Sequence, residues 1–199
     1  CKKIFVDSQR NSLKHNNLLR PQNQSTLALY EAPTEGSWAY QVTRAFMQAD
    51  IPLYKIHQQS IKELFTSMNK PLPSVSKCRS AVELICQNIL KDIKEKIHNK
   101  KVFLVIDESD INSQKYVNSL IGDISTPSLC FLIDCRPIDS TPNANIIVQI
   151  ADDNLRKMDI SRNNLLLLIS DAVRYMTKTG ETIKSLYPNT FYISYLTHL

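Results

Sequence analysis

The sequence predicts an α/β fold, a mixed five-stranded sheet in the order 3-2-1-4-5 preceded by a small helical region. Two apolar runs, Val102 to Ile106 and Leu165 to Ile169, each lead into an aspartate, Asp107 and Asp171. Runs of that length suit strands covered on both faces, as in a parallel sheet, and such strands carry functional groups at their C-terminal ends. The spacing of apolar residues changes at Lys101, from a helical period before it to strand-length runs after it. Beyond that point three strands come first, and helix and strand then alternate.

The elements follow in order. Trp38 to Gln48 reads as an amphipathic helix with Val42, Ala45 and Phe46 on one side, broken by Asp50-Ile-Pro-Leu-Tyr. Gln59 to Met68 places Ile61, Leu64 and Phe65 at helical spacing, and Ser80 to His98 aligns Val82, Ile85, Ile89, Ile93 and Ile97 in one stripe. The other face of that third helix carries Lys91, Lys94 and Lys96, a basic exterior over an apolar interior. Strands are predicted at Val102 to Asp107, Tyr116 to Asp123, Leu129 to Cys135, Leu165 to Ser170 and Phe191 to Tyr195. Helices fill Asn143 to Met158 and Ala172 to Leu186. This is the ribonuclease H-like topology, in which strands one and four are parallel neighbours and bring Asp107 to Asp171.

Composition narrows the functions available. Of 199 residues, 43% are hydrophobic, enough to bury a core, and only three are glycine (Gly36, Gly122, Gly180), which excludes a glycine-rich phosphate loop. The net charge of +5 is unevenly spread: residues 1 to 101 hold 16 Lys+Arg against 8 Asp+Glu, and the remainder 8 against 11. A basic first half joined to a mildly acidic α/β half suits nucleic-acid binding attached to a metal-carboxylate core, although a solvated helix surface would give the same count. Five cysteines, an odd number, without a recognisable signal peptide favour a reducing compartment. No apolar stretch approaches the ~20 residues of a membrane span, so no membrane partner is expected.

The chain begins at Cys1, and its first methionine is Met47, which points to processing or to a fragment. Cys1 and His15 have the look of half a zinc finger, in which zinc would bind only if the site were completed upstream. Arg20 to Gly36 is polar and punctuated by proline, as a linker is. The expected organisation is therefore a zinc-finger remnant over 1–19, a linker over 20–37, a basic helical region over 38–100 and an incomplete ribonuclease H-like domain over 101–199. Such a sheet, lacking a covering helix, would leave apolar surface and tend to self-associate.

Three stretches in register, Ala45 to Lys55, Val102 to Asp110 and Ser170 to Met176, followed by Leu186-Tyr-Pro and His198, resemble the hAT superfamily of transposases. More narrowly, they resemble the CGG triplet repeat-binding protein-like group, which joins a BED-type zinc finger to a hAT-like body. The resemblance implies a nuclear, DNA-binding protein descended from an enzyme that cut DNA with two aspartates, a glutamate and two Mg²⁺ or Mn²⁺ ions. Asp107 and Asp171 match the two aspartates. The family's glutamate lies after a helical insertion beyond Leu199, and Glu181 is no natural replacement. Tyr195 also stands where the family has a cysteine three residues before His198.

These departures imply a DNA-binding protein without turnover, its Asp107 and Asp171 vestigial and no cofactor required. The alternatives are a fragment of an active Mg²⁺- or Mn²⁺-dependent transposase, and a protein-interaction module or nonfunctional relic. Asp171 admits a plainer reading too, as the cap of the helix that follows it.

Overall fold

The computed structural model describes residues 33–139 and 141–195. Cys1, His15 and His198 therefore lie outside the described residues. The chain forms two compact units that divide between Ile89 and Leu90.

The first unit is helical. Helix α1 (Trp38–Gln48) starts where Ser37, an extended N-cap residue, accepts a hydrogen bond on its side chain from the Tyr40 amide. A 3₁₀ turn (Leu53–His57) and helix α2 (Gln59–Ser67) follow, and helix α3 (Val75–Ile97) runs from this unit into the second. The core gathers Val42, Phe46, Ile56, Phe65 and Cys78. Trp38 meets Phe65 edge-on at 5.8 Å, and its indole nitrogen donates to the Pro71 carbonyl at 2.7 Å. Both contacts give a large amphipathic ring an apolar body and a satisfied polar tip.

Three positions of the predicted apolar stripes turn outward, Ala45, Leu64 and Ile89. On α3, Ala81, Val82 and Ile85 are buried on one side of the division and Ile93 and Ile97 on the other, while Ile89 sits at the boundary and is 46% exposed.

The second unit is built on a five-stranded sheet in the order β3-β2-β1-β4-β5, the ribonuclease H-like arrangement expected from the sequence. Its strands are β1 (Val102–Ile111), β2 (Gln114–Asp123), β3 (Cys130–Ile138), β4 (Leu165–Asp171) and β5 (Phe191–Tyr195), with helices α4 (Ala144–Lys157) and α5 (Arg174–Leu186) between the later ones. Strand β1 is antiparallel to β2 and parallel to β4, and β4 is parallel to β5.

Alternation along the strands separates two faces. Val102, Leu104 and Ile106 point to the face shared with Val117, Ile121, Leu165 and Leu168, which packs with Ile147, Ile150 and Leu155 of α4 and Met176 and Ile183 of α5. Asn154 links helix to sheet inside this core, donating to Ser119 Oγ at 3.0 Å. The other face carries Val105, Asp107, Asn118, Ile169 and Asp171. At the β5 edge Phe191 is 68% and Ile193 47% exposed, so apolar surface does stand open there.

Strand β1 is longer than predicted. It continues past Asp107 to Ile111 and turns through Asn112 and Ser113, both at positive φ (50° and 64°), directly into β2. Two central residues at positive φ make the tight hairpin turn whose twist matches that of the strands. Asp107 accordingly lies within β1 and not at its tip; the strand that stops at its level is β4. Of the two cysteines of β3, Cys130 is exposed, whereas Cys135 is 1% exposed.

Gly180 of α5 lies against Tyr192 of β5 so closely that a Cβ would meet the ring at 2.5 Å. Ala favours a helix over Gly by about 1 kcal/mol, but overpacking of this kind costs about 1–3 kcal/mol. Gly180→Ala should therefore lower stability in chemical denaturation. Unchanged or increased stability would mean that Tyr192 is free to move aside.

Candidate functional site

The site is assembled by register. Ile106 pairs with Ser170 across the parallel β1–β4 ladder, so one residue further on Asp107 stands beside Asp171. On the far side of β1, Asp107 is directly opposite Asn118 of β2; beyond β4, Asp171 is paired with Tyr195 of β5. One row thus reads Asn118, Asp107, Asp171, Tyr195 across four neighbouring strands, all on the face turned away from α4 and α5. Adjacent strands are ~4.8 Å apart, which brings the two carboxylates within joint reach of one small ion.

The end of β4 is pinned from behind. Ser170 Oγ donates to the Asp171 carbonyl at 3.0 Å, and Tyr192 joins Ser170 through their hydroxyls at 3.0 Å. Asp171 does not cap the next helix: α5 has Val173 at its N-cap, with no side-chain hydrogen bond there. The plainer reading of Asp171 therefore fails, because its side chain belongs to the strand row. Asp171 Oδ1 is buried without a hydrogen-bond donor among the described residues.

Glu108, next in sequence to Asp107, goes the other way. Strand alternation turns it to the helix face, where its carboxylate accepts a hydrogen bond from the Tyr175 hydroxyl of α5. Burial pushes the Glu108 carboxyl above its usual range; Asp171 and Asp107 add to that rise, and the Tyr175 hydrogen bond and Lys115 oppose it. Tyr175 itself is raised well above a normal phenol, first by burial and then by Glu108. Burial also raises Tyr195, with further contributions from Asp107 and Asp171. Both carboxylates of the pair are thus close enough to be felt by Glu108 and by Tyr195.

A raised folded-state value means that Glu108 favours the fold below the ordinary glutamate range, a contribution lost as pH rises through its own titration. Tyr175→Phe removes the hydrogen bond that holds the value down. Its titration midpoint, followed by carboxylate ¹³C NMR, should move further up. Stability at pH 7 should fall by about 1–2 kcal/mol, more than at pH 4, where the group is protonated. A midpoint that stays or falls would remove Tyr175 from the account.

The donors suit a hard divalent cation in type, since magnesium is held by one or two carboxylates with water completing the shell. The buried, donorless oxygen of Asp171 is the observation that favours such an ion. Among the described residues, no group of three or more His, Cys, Asp or Glu side chains converges to hold a metal. Glu181 lies on the exposed surface of α5 and does not join the pair. The predicted aspartates are therefore brought together, and a third acid is not.

No protein-family model and no curated protein matches this sequence. Among solved structures, the chain is similar to a protein from Bacteroides thetaiotaomicron with an actin-like ATPase fold and unknown function, at 5% identity and a TM-score of 0.33 over 58% of this chain and 46% of that one. It is also similar to a chain of a pre-cleavage Mos1 transpososome, at 10% identity and a TM-score of 0.32 over 94% of this chain and 66% of that one. A chain of the Mos1 strand transfer complex matches at 12% identity and a TM-score of 0.33, over 94% and 64%. The chain spans less than two thirds of the length of each. Likeness of this extent assigns no activity.

Sequence reasoning missed Glu108, Tyr175 and Asn118. Glu108 had a visible signal, an acid beside Asp107, but its partner is contributed by a helix far along the chain. Asn118 had none, being a neutral residue inside a strand.

The basic helical region is only partly free to meet an anion. Lys94 is ion-paired with Asp159, and Lys96 lies 5.6 Å from the centre of the Phe131 ring. Lys91 and Lys100 are exposed, and Lys100 sits 2.9 Å from Asp123, whose carboxyl it helps to lower to about 2. Among the described residues no helix is long and apolar enough to cross a membrane.

Proposed function

We propose that this chain is a transposase-derived, hAT-like DNA-binding protein of the nucleus that does not turn over. The observation that carries the reading is a pair of aspartates, Asp107 and Asp171, in register on adjacent parallel strands without a third carboxylate beside them among the described residues. Two-metal phosphodiester chemistry stabilises both the attacking and the leaving oxygen, and a third acid is normally needed to fix the second ion. With Glu108 held by Tyr175 on the opposite face, the pair has ligands for one ion.

DNA binding is supported by charge. The excess of basic over acidic residues lies in residues 1 to 101, and phosphate neutralisation needs only such an excess, with no base-specific geometry. Fluorescence anisotropy of a labelled duplex should give binding that weakens steeply between 50 and 200 mM salt, by about tenfold or more. Binding that is absent, or insensitive to salt, would sink the DNA-binding reading and leave a protein-interaction role.

A fragment of an active enzyme is the second reading. The donorless Asp171 oxygen favours it, since an ion site kept in order is what an active relative would need. Zinc at Cys1 and His15 belongs to either reading only if the finger is completed upstream.

A further inference from the structure

Of three buried side-chain oxygens, Asn118 Oδ1, Asp123 Oδ2 and Asp171 Oδ1, only the second has a cation beside it among the described residues. Lys100 Nζ stands 2.9 Å from Asp123 Oδ2 and compensates it by charge. The other two occupy a single cross-strand row, one on each side of Asp107. Buried polar groups are nearly always paired, and an acceptor left bare costs about 1–3 kcal/mol. Two in one row, flanking a carboxylate, require a common explanation.

We propose that Asn118 Oδ1 is a third oxygen ligand, beside Asp107 and Asp171, to one divalent cation of the magnesium or manganese class. The inference rests on the reading of Asp107 and Asp171 as cation ligands. Asn118 is 1% exposed, so bulk water does not satisfy its oxygen. Its amide nitrogen donates to Ser109 Oγ at 3.0 Å, and this fixes which end of the amide remains for the row. Ser109 is two residues beyond Asp107 on the same face of β1, so the hydrogen bond draws the Asn118 side chain toward β1.

Distances are compatible with a shared ion. Residues directly opposite on antiparallel strands have Cβ atoms ~4.5–5.5 Å apart, and β4 lies ~4.8 Å on the other side of β1. An ion above Asp107 is then one strand from Asn118 and one strand from Asp171. Each side chain can span that gap with a metal–oxygen bond of about 2.0–2.1 Å, the magnesium value. Two carboxylates and a neutral amide oxygen also balance the charge of a single divalent ion, and a third carboxylate in place of the amide would attract it further.

The test is Mn²⁺ binding to the full chain, read by calorimetry and by the rise in melting temperature that the ion produces, with no activity required. Wild type should bind one ion, and Asp107→Asn should abolish that binding. Asn118→Ala should weaken it about tenfold or more, while Asn118→Asp should tighten it. Ser109→Ala, which keeps the oxygen but releases the amide, should give a smaller loss.

If Asn118→Ala and Asn118→Asp both bind Mn²⁺ like wild type while Asp107→Asn does not, Asn118 is not a ligand and the carboxylate reading stands. If wild type binds no ion, the carboxylate reading falls and takes Asn118 with it. Should Asn118→Ala fail to fold, Asn118→Asp and Ser109→Ala decide the matter, because neither leaves a cavity.

Discussion

Leu104→Ala should cost about 3–5 kcal/mol. Leu104 is fully buried on β1, the strand held on both sides by ladders, and its register partners Ile121 and Leu168 are 0% and 1% exposed. Helices α4 and α5 close over the same face, so little can collapse into the space that a leucine leaves. Domains of this size are typically stable by only 5–15 kcal/mol, and a loss of this order would be plain in a urea midpoint at unchanged slope. Val105→Ala, on the half-buried opposite face, is the control and should cost clearly less. Equal losses at the two positions would contradict the assignment of faces on which the carboxylate row depends.

Asp171→Asn should change stability in opposite directions with and without a divalent ion. Without one, the wild-type chain keeps a buried oxygen that carries charge and has no donor, beside a second carboxylate at Asp107. Replacing it by a neutral isostere that can donate should stabilise the protein by about 1 kcal/mol. With Mn²⁺ at millimolar concentration, wild type should gain stability by mass action and the variant should gain none. Thermal melts of both proteins with Mn²⁺ or with a chelator measure this. A variant less stable than wild type under chelation would show that Asp171 has an internal partner.

The fold was legible in the sequence because its strongest signals are periodic. The predicted limits of α1 and β5 coincide with those found, and α4 fills the span predicted from Asn143 to Met158, with those two residues as its caps. Asp107 and Asp171 could be brought together on paper because a parallel pairing of two apolar runs allows few registers. The outer half of β1 was not legible: Glu108, Ser109 and Asp110 are polar, and the turn at Asn112 and Ser113 adopts positive φ without the glycine that usually marks it. Ile89 fits its stripe by spacing and is nonetheless 46% exposed.

The chemistry of the row was legible only where it carries charge. A paired acid attracts notice in a sequence, whereas Asn118 acquires meaning from Asp107 across the ladder and from Ser109 behind it. Glu108 shows the converse. Adjacent to Asp107 in sequence, it is separated from it by the plane of the sheet, and its partner Tyr175 comes from the helix that follows β4.

The most direct test of the account is strand nicking. Labelled duplex DNA would be incubated with excess full chain in Mn²⁺ and resolved on a denaturing gel, with Asp107→Asn as the control for contaminating nucleases. The account predicts no strand breaks above that control, in samples where anisotropy shows the duplex bound. Breaks that require Mn²⁺ and vanish in both Asp107→Asn and Asp171→Asn would contradict it, and would mean that two aspartates in this setting suffice to cut DNA.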